Sequence, residues 1–323
     1  MTTGGRADRS SAASVSFMAC FPEVGKDEDP TDPVAPGLGR IGHPVRMTAA
    51  HSVRELRPAP ALARHVTCVW EQTVPLHSTA FTHRKAPSGS VELVCAVGSM
   101  PRILGPQTGP IDEPLAPGTT IVGVRLRPEA ASSVLGLPTS TLVDLALDAD
   151  ELWGERGDAL QERVAGAGSA QEAAAHLERT VSERLADATT PDPVVTDAVR
   201  RLTYDQDAGV ASMAASLFIS ERQLRRRFES ATGLAPTTLH RILRFQRFLA
   251  LAWTNRQTTS QIGRLAVEAG YADQAHLNRE AARLEGRSPR AFLSESEQRC
   301  ACGHDHSASY APLLRHRSVA RPG

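Results

Sequence analysis

Apolar and polar residues follow two different periods along this chain of 323 residues. Between about residues 55 and 130, short apolar runs alternate with turn residues, and the stretch from Val122 to Arg127 alternates apolar residues with Gly and Arg at strand period. From Asp158 to Ala188, apolar residues recur at the 3.6-residue spacing of a helix. These patterns predict a mixed β and α region in the first part of the chain.

Changes of pattern divide the chain into four segments. The first 46 residues are rich in Gly, Ser, Pro, Asp and Glu and have little periodicity, which is typical of disorder. The run "TTPDPVV", from Thr189 to Val195, interrupts the helical pattern with two prolines. We therefore predict a disordered extension over 1–46, an N-terminal sensing or dimerising domain over 47–187, an all-α domain over 193–296 and a disordered tail over 297–323.

The helical segment contains an internal repeat with an offset of 53 residues. Sliding the chain by this offset without a gap aligns Ser220 with Asp273, and both residue types are good helix N-caps. The other aligned pairs are Leu224 with Leu277, Arg226 with Arg279, Gly233 with Gly286, Pro236 with Pro289 and Leu239 with Phe292. We expect two copies of one folding unit.

Each copy predicts two short helices joined by a tight turn. Ser220 begins the second helix of the first copy, with Gln223 completing a capping box. Gly270 makes the turn of the second copy, and Asp273 caps the helix that follows. The positions predicted to face the core are Met213, Ala214, Leu217, Leu224 and Phe228 in the first copy, and Leu277 and Leu284 in the second. This arrangement is a helix-turn-helix.

The outward positions of the two second helices carry side chains of the types that read DNA bases. These candidate residues are Arg222, Gln223, Arg225 and Arg226 in the first copy, and Gln274, His276, Asn278 and Arg279 in the second. An arginine cluster alone is most typical of a solvated face. Its recurrence at a matching offset favours DNA binding. Between the copies, the segment from Pro236 to Trp253 predicts a helix with a length of roughly 27 Å. A helix of this length can hold the two helix-turn-helix units about one turn of DNA apart, roughly 34 Å.

Composition changes this picture only locally. The chain has 36 basic and 36 acidic residues, so its overall charge does not indicate a polyanion binder. Residues 197–296, however, contain fifteen Arg against ten Asp plus Glu, a local excess of five positive charges. The five cysteines are scattered and odd in number, and no signal peptide or membrane-length apolar run is present, so we expect a cytoplasmic protein without a membrane partner.

The repeat resembles the DNA-binding domain of the AraC/XylS family of bacterial transcription regulators. The resemblance rests on "ISERQLRRRFESATGLAPTTLHRILRFQRFLAL" and "AVEAGYADQAHLNREAARLEGRSPRAF". It implies an α+β protein in which two helix-turn-helix units, joined by a long helix, enter successive major grooves of operator DNA. It also implies base contacts from most of the candidate residues, with Arg225 and Asn278 touching phosphate. One departure is Ala281, where family members usually have Phe, and its effect would be to loosen the second unit.

The N-terminal segment is similar to an uncharacterised domain that precedes such DNA-binding domains in actinobacterial regulators. The resemblance rests on "RELRPAPALARHVTCVWEQTV" and "TIVGVRLRPEAASSVLGLPTSTLVDLALDADELWG". It implies effector binding or homodimerisation, and RNA polymerase as a partner, without naming a ligand. Arg125 and Arg127 either face an anionic effector or form a solvent-facing pair on an edge strand.

Enzymatic motifs are missing from the chain: it has no P-loop, no G-x-S-x-G elbow and no H-E-x-x-H. Alkyl-transferring relatives need four clustered cysteines ahead of the DNA-binding domain, and Cys20, Cys68 and Cys95 stand alone. We expect neither an enzyme nor a cofactor. The alternative function is a DNA-anchored module whose N-terminal domain binds a partner protein.

A metal-ligand pattern occurs near the C-terminus. Cys300, Cys302, His304 and His306 alternate in "CACGHDH" and include the ligand types that bind zinc. Their spacing is tighter than the usual C-x₂-C pattern, so we assign no metal to them and leave the question open. The sequence also leaves open the effector, the operator and whether binding activates or represses transcription.

Overall fold

The structure, a computed structural model, describes residues 51–78, 81–205, 209–255, 261–299 and 307–314. A sheet-rich N-terminal region precedes a helical C-terminal region, which is the α+β order that the sequence predicts. Within the described ranges, no helix is both long enough and apolar enough to cross a bilayer.

Two antiparallel sheets form in the N-terminal region. The larger sheet has the strand order β1-β2-β7-β4-β5-β8, and the smaller sheet pairs β3 with β6. The strands are β1 Ser52–Leu56, β2 Val66–Thr73, β3 Phe81–Lys85, β4 Glu92–Ala96, β5 Arg102–Leu104, β6 Ile111–Leu115, β7 Thr120–Leu126 and β8 Ala146–Asp148.

The alternating stretch identified in the sequence forms β7, which lies in the middle of the larger sheet. The interpretation of Arg125 as part of a solvent-facing pair on an edge strand is therefore wrong. Its Nε donates to Glu92 Oε1 at 2.8 Å, and its Nη1 lies 3.4 Å from Glu55 Oε1. Burial alone would raise the pKa of Glu92, but Arg125 and Lys85 lower it to about 2. The Arg125 guanidinium is thus an internal partner of two buried carboxylates.

Helices cover one face of the larger sheet and share its apolar core. Val122, Val124 and Leu126 of β7 belong to the same buried cluster as Leu160 and Leu177 of the covering helices. Buried aliphatic positions at helical spacing explain why this segment folds onto the sheet instead of extending into solvent. The helices are α1 Ala131–Leu135, α2 Ala149–Trp153, α3 Glu155–Ala165 and α4 Ala170–Ala186.

The C-terminal region contains the seven helices that follow, all built on one hydrophobic core. They are α5 Pro193–Tyr204, α6 Val210–Ser216, α7 Glu221–Thr232, α8 Pro236–Asn255, α9 Ile262–Glu268, α10 Gln274–Glu285 and α11 Pro289–Arg299. α8 is the longest of them, with 20 residues, two more than the sequence pattern predicts. Its Leu239, Ile242, Phe245 and Phe248 are fully buried, so α8 is the central rod of this region.

The predicted disordered tail, 297–323, contains a further helix, α12 Ser307–Leu314. Leu313 is buried, and the backbone N–H and the Oγ of Ser309 both donate to the Glu55 carboxylate, at 2.8 and 2.7 Å. One partner more than 250 residues away, Glu55, and the packing of α12 against α8 therefore hold this helix, which local composition does not reveal. The predicted extension over 1–46 lies outside the described residues, as do Cys300, Cys302, His304 and His306. The domain limits of 47–187 and 193–296 stay predictions.

Candidate nucleic-acid interface

The first helix-turn-helix unit consists of α6 and α7. The Ser220 Oγ accepts from the Gln223 backbone N–H at 3.2 Å, and the Gln223 Oε1 accepts from the Ser220 N–H at 3.0 Å. This is the capping box that the sequence predicts. Leu224 and Phe228 of α7 are fully buried, which sets the direction of every other side chain on the helix.

The four arginines of α7 divide into three kinds of environment. Arg222 and Arg226 are exposed and make no ion pair or hydrogen bond with the residues that the structure describes. Arg225 is also exposed and lies 3.8 Å from Glu221, one turn earlier. Such exposed pairs are weak, so Arg225 can exchange this partner for another anion.

Arg227 has a structural role that the sequence analysis missed. Its Nε and Nη2 donate to the two oxygens of Asp192, both at 2.6 Å. Partial burial would raise the pKa of Asp192, but the hydrogen bonds from Arg227 and from the Val194 N–H hold it below its usual range. Asp192 is also the N-cap of α5, so this pair ties α7 to the start of the helical region.

The second unit consists of α9 and α10. Gly270 forms the turn with a φ of 92°, and the Asp273 Oδ1 accepts from the His276 N–H at 2.6 Å. Leu277 and Leu284 are buried as predicted. The unit therefore repeats the turn, the cap and the apolar face of the first unit.

The predicted reading positions of α10 differ in exposure. Gln274, Asn278 and Arg279 are exposed and have no hydrogen-bond partner among the residues that the structure describes. His276 is half-buried, because its ring packs edge-on against Tyr271 with the ring centroids 5.2 Å apart. Three of the four predicted residues of α10 are therefore exposed, and His276 is only partly so.

Ala281, the departure from the family pattern, is buried with 1% exposure. Next to it, Glu280 is held by two arginines, with Arg241 Nε at 2.6 Å and Arg283 Nη1 at 2.9 Å. Burial would raise the pKa of Glu280, but these arginines lower it below its usual range. Because Arg241 belongs to α8, this ion pair joins the second unit to the central rod.

The turn of the first unit has a feature that the sequence analysis also missed. Phe218 has a φ of 57° and is 94% exposed, although left-handed backbone is unfavourable for a phenylalanine. The corresponding residue of the repeat is Tyr271, which is buried. Sequence spacing predicts a turn at both places, but it does not predict which residue takes the left-handed conformation.

Two protein families match parts of the chain. Residues 213–295 match the model of a helix-turn-helix domain, and residues 54–148 match a domain of unknown function. No curated protein matches the chain.

Among solved structures, ToxT from Vibrio cholerae O395 is 11% identical over 76% of this chain and 97% of its own, with a TM-score of 0.40. A ToxT from Vibrio cholerae strain SCE256, described as bound to an unsaturated fatty acid, is 10% identical over 75% of this chain and 94% of its own, with a TM-score of 0.36.

Proposed function

We propose that this chain, whose C-terminal part carries an AraC-type helix-turn-helix domain, is a sequence-specific transcription regulator that reads double-stranded DNA with α7 and α10. The proposal rests on one observation, the polar and basic surface that both α7 and α10 expose. Each of these helices begins at a side-chain cap, buries its apolar positions and exposes polar or basic side chains in its first two turns. The N-terminal turns of a recognition helix are the part that contacts base edges.

The exposed arginines are the proposed base-reading residues. Arg222, Arg226 and Arg279 have no protein partner among the described residues, so their guanidinium groups are available for the O6 and N7 atoms of guanine. Gln274 has the amide geometry that suits adenine. Gln223 uses its Oε1 in the capping box, which leaves its Nε2 to donate to a base.

Arg225 and Asn278 are proposed to bind phosphate, and His276 is proposed to contact DNA with the exposed part of its ring. Phosphate contacts supply affinity without sequence information, whereas base contacts supply discrimination. Affinity should therefore fall steeply with salt, since each neutralised phosphate releases counterions.

The test is selection of random DNA by the full chain, followed by sequencing of the enriched pool. Two short elements about one helical turn apart support reading by both units, at the roughly 34 Å spacing of major grooves on one DNA face. A single element would assign base reading to one unit only. No enrichment would overturn the proposed function.

We further propose that an effector acts through a cavity lined by both regions. A cavity of about 240 Å³ lies between the larger sheet and the helices α5, α8 and α12. Its lining combines apolar side chains, including Leu243 and Leu313, with polar ones, including Ser90 and Gln246. Mixed lining of this kind suits a small organic molecule with a polar group.

Thermal melting of the full chain tests the effector proposal with a panel of small aromatic and aliphatic carboxylic acids and their neutral amides. A ligand that binds only the folded state raises the melting temperature as its concentration increases. Ser90→Trp, which fills the cavity, should abolish the shift. A shift that persists in Ser90→Trp would contradict this location. RNA polymerase and a second copy of the chain remain proposed partners.

A further inference from the structure

The C-terminal ends of the two reading helices occupy equivalent positions of the 53-residue repeat. α7 ends before Gly233 with a φ of 80°, and α10 ends before Gly286 with a φ of 68°. The last carbonyl groups of any helix lack partners within the helix and carry partial negative charge. What satisfies these carbonyls decides how each helix end is held.

At the end of α7, a residue of the N-terminal region supplies the donor. The Thr139 Oγ1 donates to the Ala231 carbonyl at 2.8 Å, and Thr139 is fully buried. A Cβ placed on Gly233 would lie 2.7 Å from Pro106 Cγ and 3.1 Å from Thr139 Cγ2. The backbone of the helix end is therefore in close contact with the N-terminal region.

At the end of α10, an arginine of the N-terminal region plays the same part. The Nε and Nη2 of Arg84 donate to the Glu285 carbonyl at 3.2 and 3.0 Å. The remaining nitrogen of this guanidinium, Nη1, donates to both carboxylate oxygens of Asp112 at 3.0 and 2.9 Å. Arg84 lies on β3 and Asp112 on β6, so the smaller sheet fixes the direction of the guanidinium.

The same segment of the N-terminal region also contacts the central rod. Gln246 of α8 donates its Nε2 to the Pro87 carbonyl at 2.7 Å, three residues after Arg84. α7 and α10 are therefore connected by two routes, one through α8 and one through the N-terminal region, where Thr139 contacts the end of α7 and Arg84 contacts the end of α10. A pair of elements connected by two independent routes has less freedom to rotate than a pair connected by one.

We infer that the N-terminal region sets the spacing at which the two helix-turn-helix units read DNA, with Arg84 and Thr139 as the positioning residues. This inference rests on the proposed function. One inserted base pair moves the second half of a site by about 3.4 Å along the DNA and rotates it by roughly a tenth of a turn. A protein with rigidly held reading helices cannot follow that displacement, whereas a protein with one flexible link can.

The experiment measures binding of the full chain to three duplexes built from the selected DNA, with the selected spacing, one base pair more and one fewer. For the wild type we expect each change to weaken binding about tenfold or more, comparable to a mismatched base pair. In the double variant Arg84→Ala with Thr139→Val, the loss should shrink to about threefold or less. Binding to a duplex with a single element should stay unchanged.

Matched variants separate positioning from general damage. Arg54→Ala removes an exposed arginine that pairs with Glu71 at 2.9 Å on the larger sheet, and it should keep the wild-type spacing preference. Thr139→Ser retains the hydroxyl donor and should also keep it. If Arg84→Ala does not fold, the near-isosteric Thr139→Val alone should still reduce the loss.

Two failures are distinguishable. If the folded double variant binds the selected DNA with an unchanged spacing preference, this inference is overturned and the proposed function stands. Where the double variant does not fold, the same result in Thr139→Val alone overturns the inference. No selection of DNA by the wild type would overturn the proposed function first.

Discussion

The two helix-turn-helix units share one backbone plan but are stabilised differently. The first unit buries the aromatic ring of Phe228, whereas the equivalent residue of the second unit is Ala281. The second unit buries the ring of Tyr271, whose equivalent in the first unit, Phe218, is exposed. Both units form an ion pair at the position before Phe228 or Ala281: Arg227 binds Asp192, and Glu280 lies between Arg241 and Arg283. The two copies therefore share caps, an apolar face and an ion pair, but they bury an aromatic ring at different positions and pair with different partners.

The ends of α7 and α10 also differ. Thr232 of the first unit is buried, and its Oγ1 donates to the Phe228 carbonyl at 2.9 Å. The equivalent Glu285 of the second unit is buried, and neither carboxyl oxygen has a hydrogen-bond partner in the described part of the chain. Burial raises the pKa of Glu285 to about 7, although Arg84 opposes this rise. The second unit should therefore respond to pH more strongly than the first.

The largest expected effect comes from exchanging the aromatic position. Phe228→Ala should cost about 3–5 kcal/mol of unfolding free energy, since a fully buried ring leaves a cavity. The reciprocal Ala281→Phe should cost about 1–3 kcal/mol, because the site is already packed. Thermal and denaturant unfolding measure both values. Stabilisation by Ala281→Phe would show instead that the second unit is loosened by the missing ring, as the family comparison implies.

Glu285→Gln tests the pH contrast. The folded-state pKa of about 7 exceeds the ordinary glutamate value of 4.5, so the stability contributed by protonated Glu285 is complete below about pH 4.5 and is lost as the pH rises through about 7. The amide variant should be more stable than the wild type at pH 8 by roughly 2–3 kcal/mol, and equal to it at pH 4.5. Thermal melting across this range measures the difference. A constant difference at all pH values would contradict the assignment.

Arg226→Ala and Arg279→Ala compare the two units as DNA readers. Each should lower the affinity for selected DNA by about 1–3 kcal/mol if the lost side chain contacts a base. Competition binding against random DNA separates the two kinds of contact. An equal loss on random DNA would mean that the arginine binds only phosphate. A loss in one unit alone would assign discrimination to that unit.

The smallest expected effect concerns the turns. Phe218→Gly should stabilise the first unit by about 1 kcal/mol, because glycine adopts the left-handed backbone at Phe218 without strain. Gly270→Ala should destabilise the second unit by about the same amount, since its φ is 92°. Opposite signs in thermal melting are the expected result. Destabilisation by Phe218→Gly would show that the exposed ring contributes packing.

Local patterns predicted the elements of this protein well. The capping box at Ser220, the turn at Gly270 and the burial of Leu224 and Leu277 follow from residue types and helical spacing alone. These features depend on neighbours within about one or two helical turns, which the sequence contains. The 53-residue repeat then predicts that the second copy forms the same two helices and turn as the first. The reading roles of the exposed residues stay predictions.

Local patterns did not predict contacts between residues that are distant in the sequence. Arg227 is one of the four arginines of α7, yet its partner Asp192 is 35 residues away, so the pair makes Arg227 a structural residue and not a candidate for DNA contact. Arg125 matches the pattern of a solvent-facing strand residue, yet the strand order makes β7 central. Strand order depends on how several segments pair in space, and no local period encodes it.

The sequence by itself determined the order of a sheet-rich region and a helical region, the two helix-turn-helix units and the faces of their helices. Each of these depends on side-chain periodicity and on caps within a few residues. Only the tertiary structure decided that Arg84 and Thr139 hold the ends of α10 and α7, across 201 and 92 residues. Helix-end carbonyls accept any donor that the fold brings near, so the donor is chosen by packing and not by local sequence.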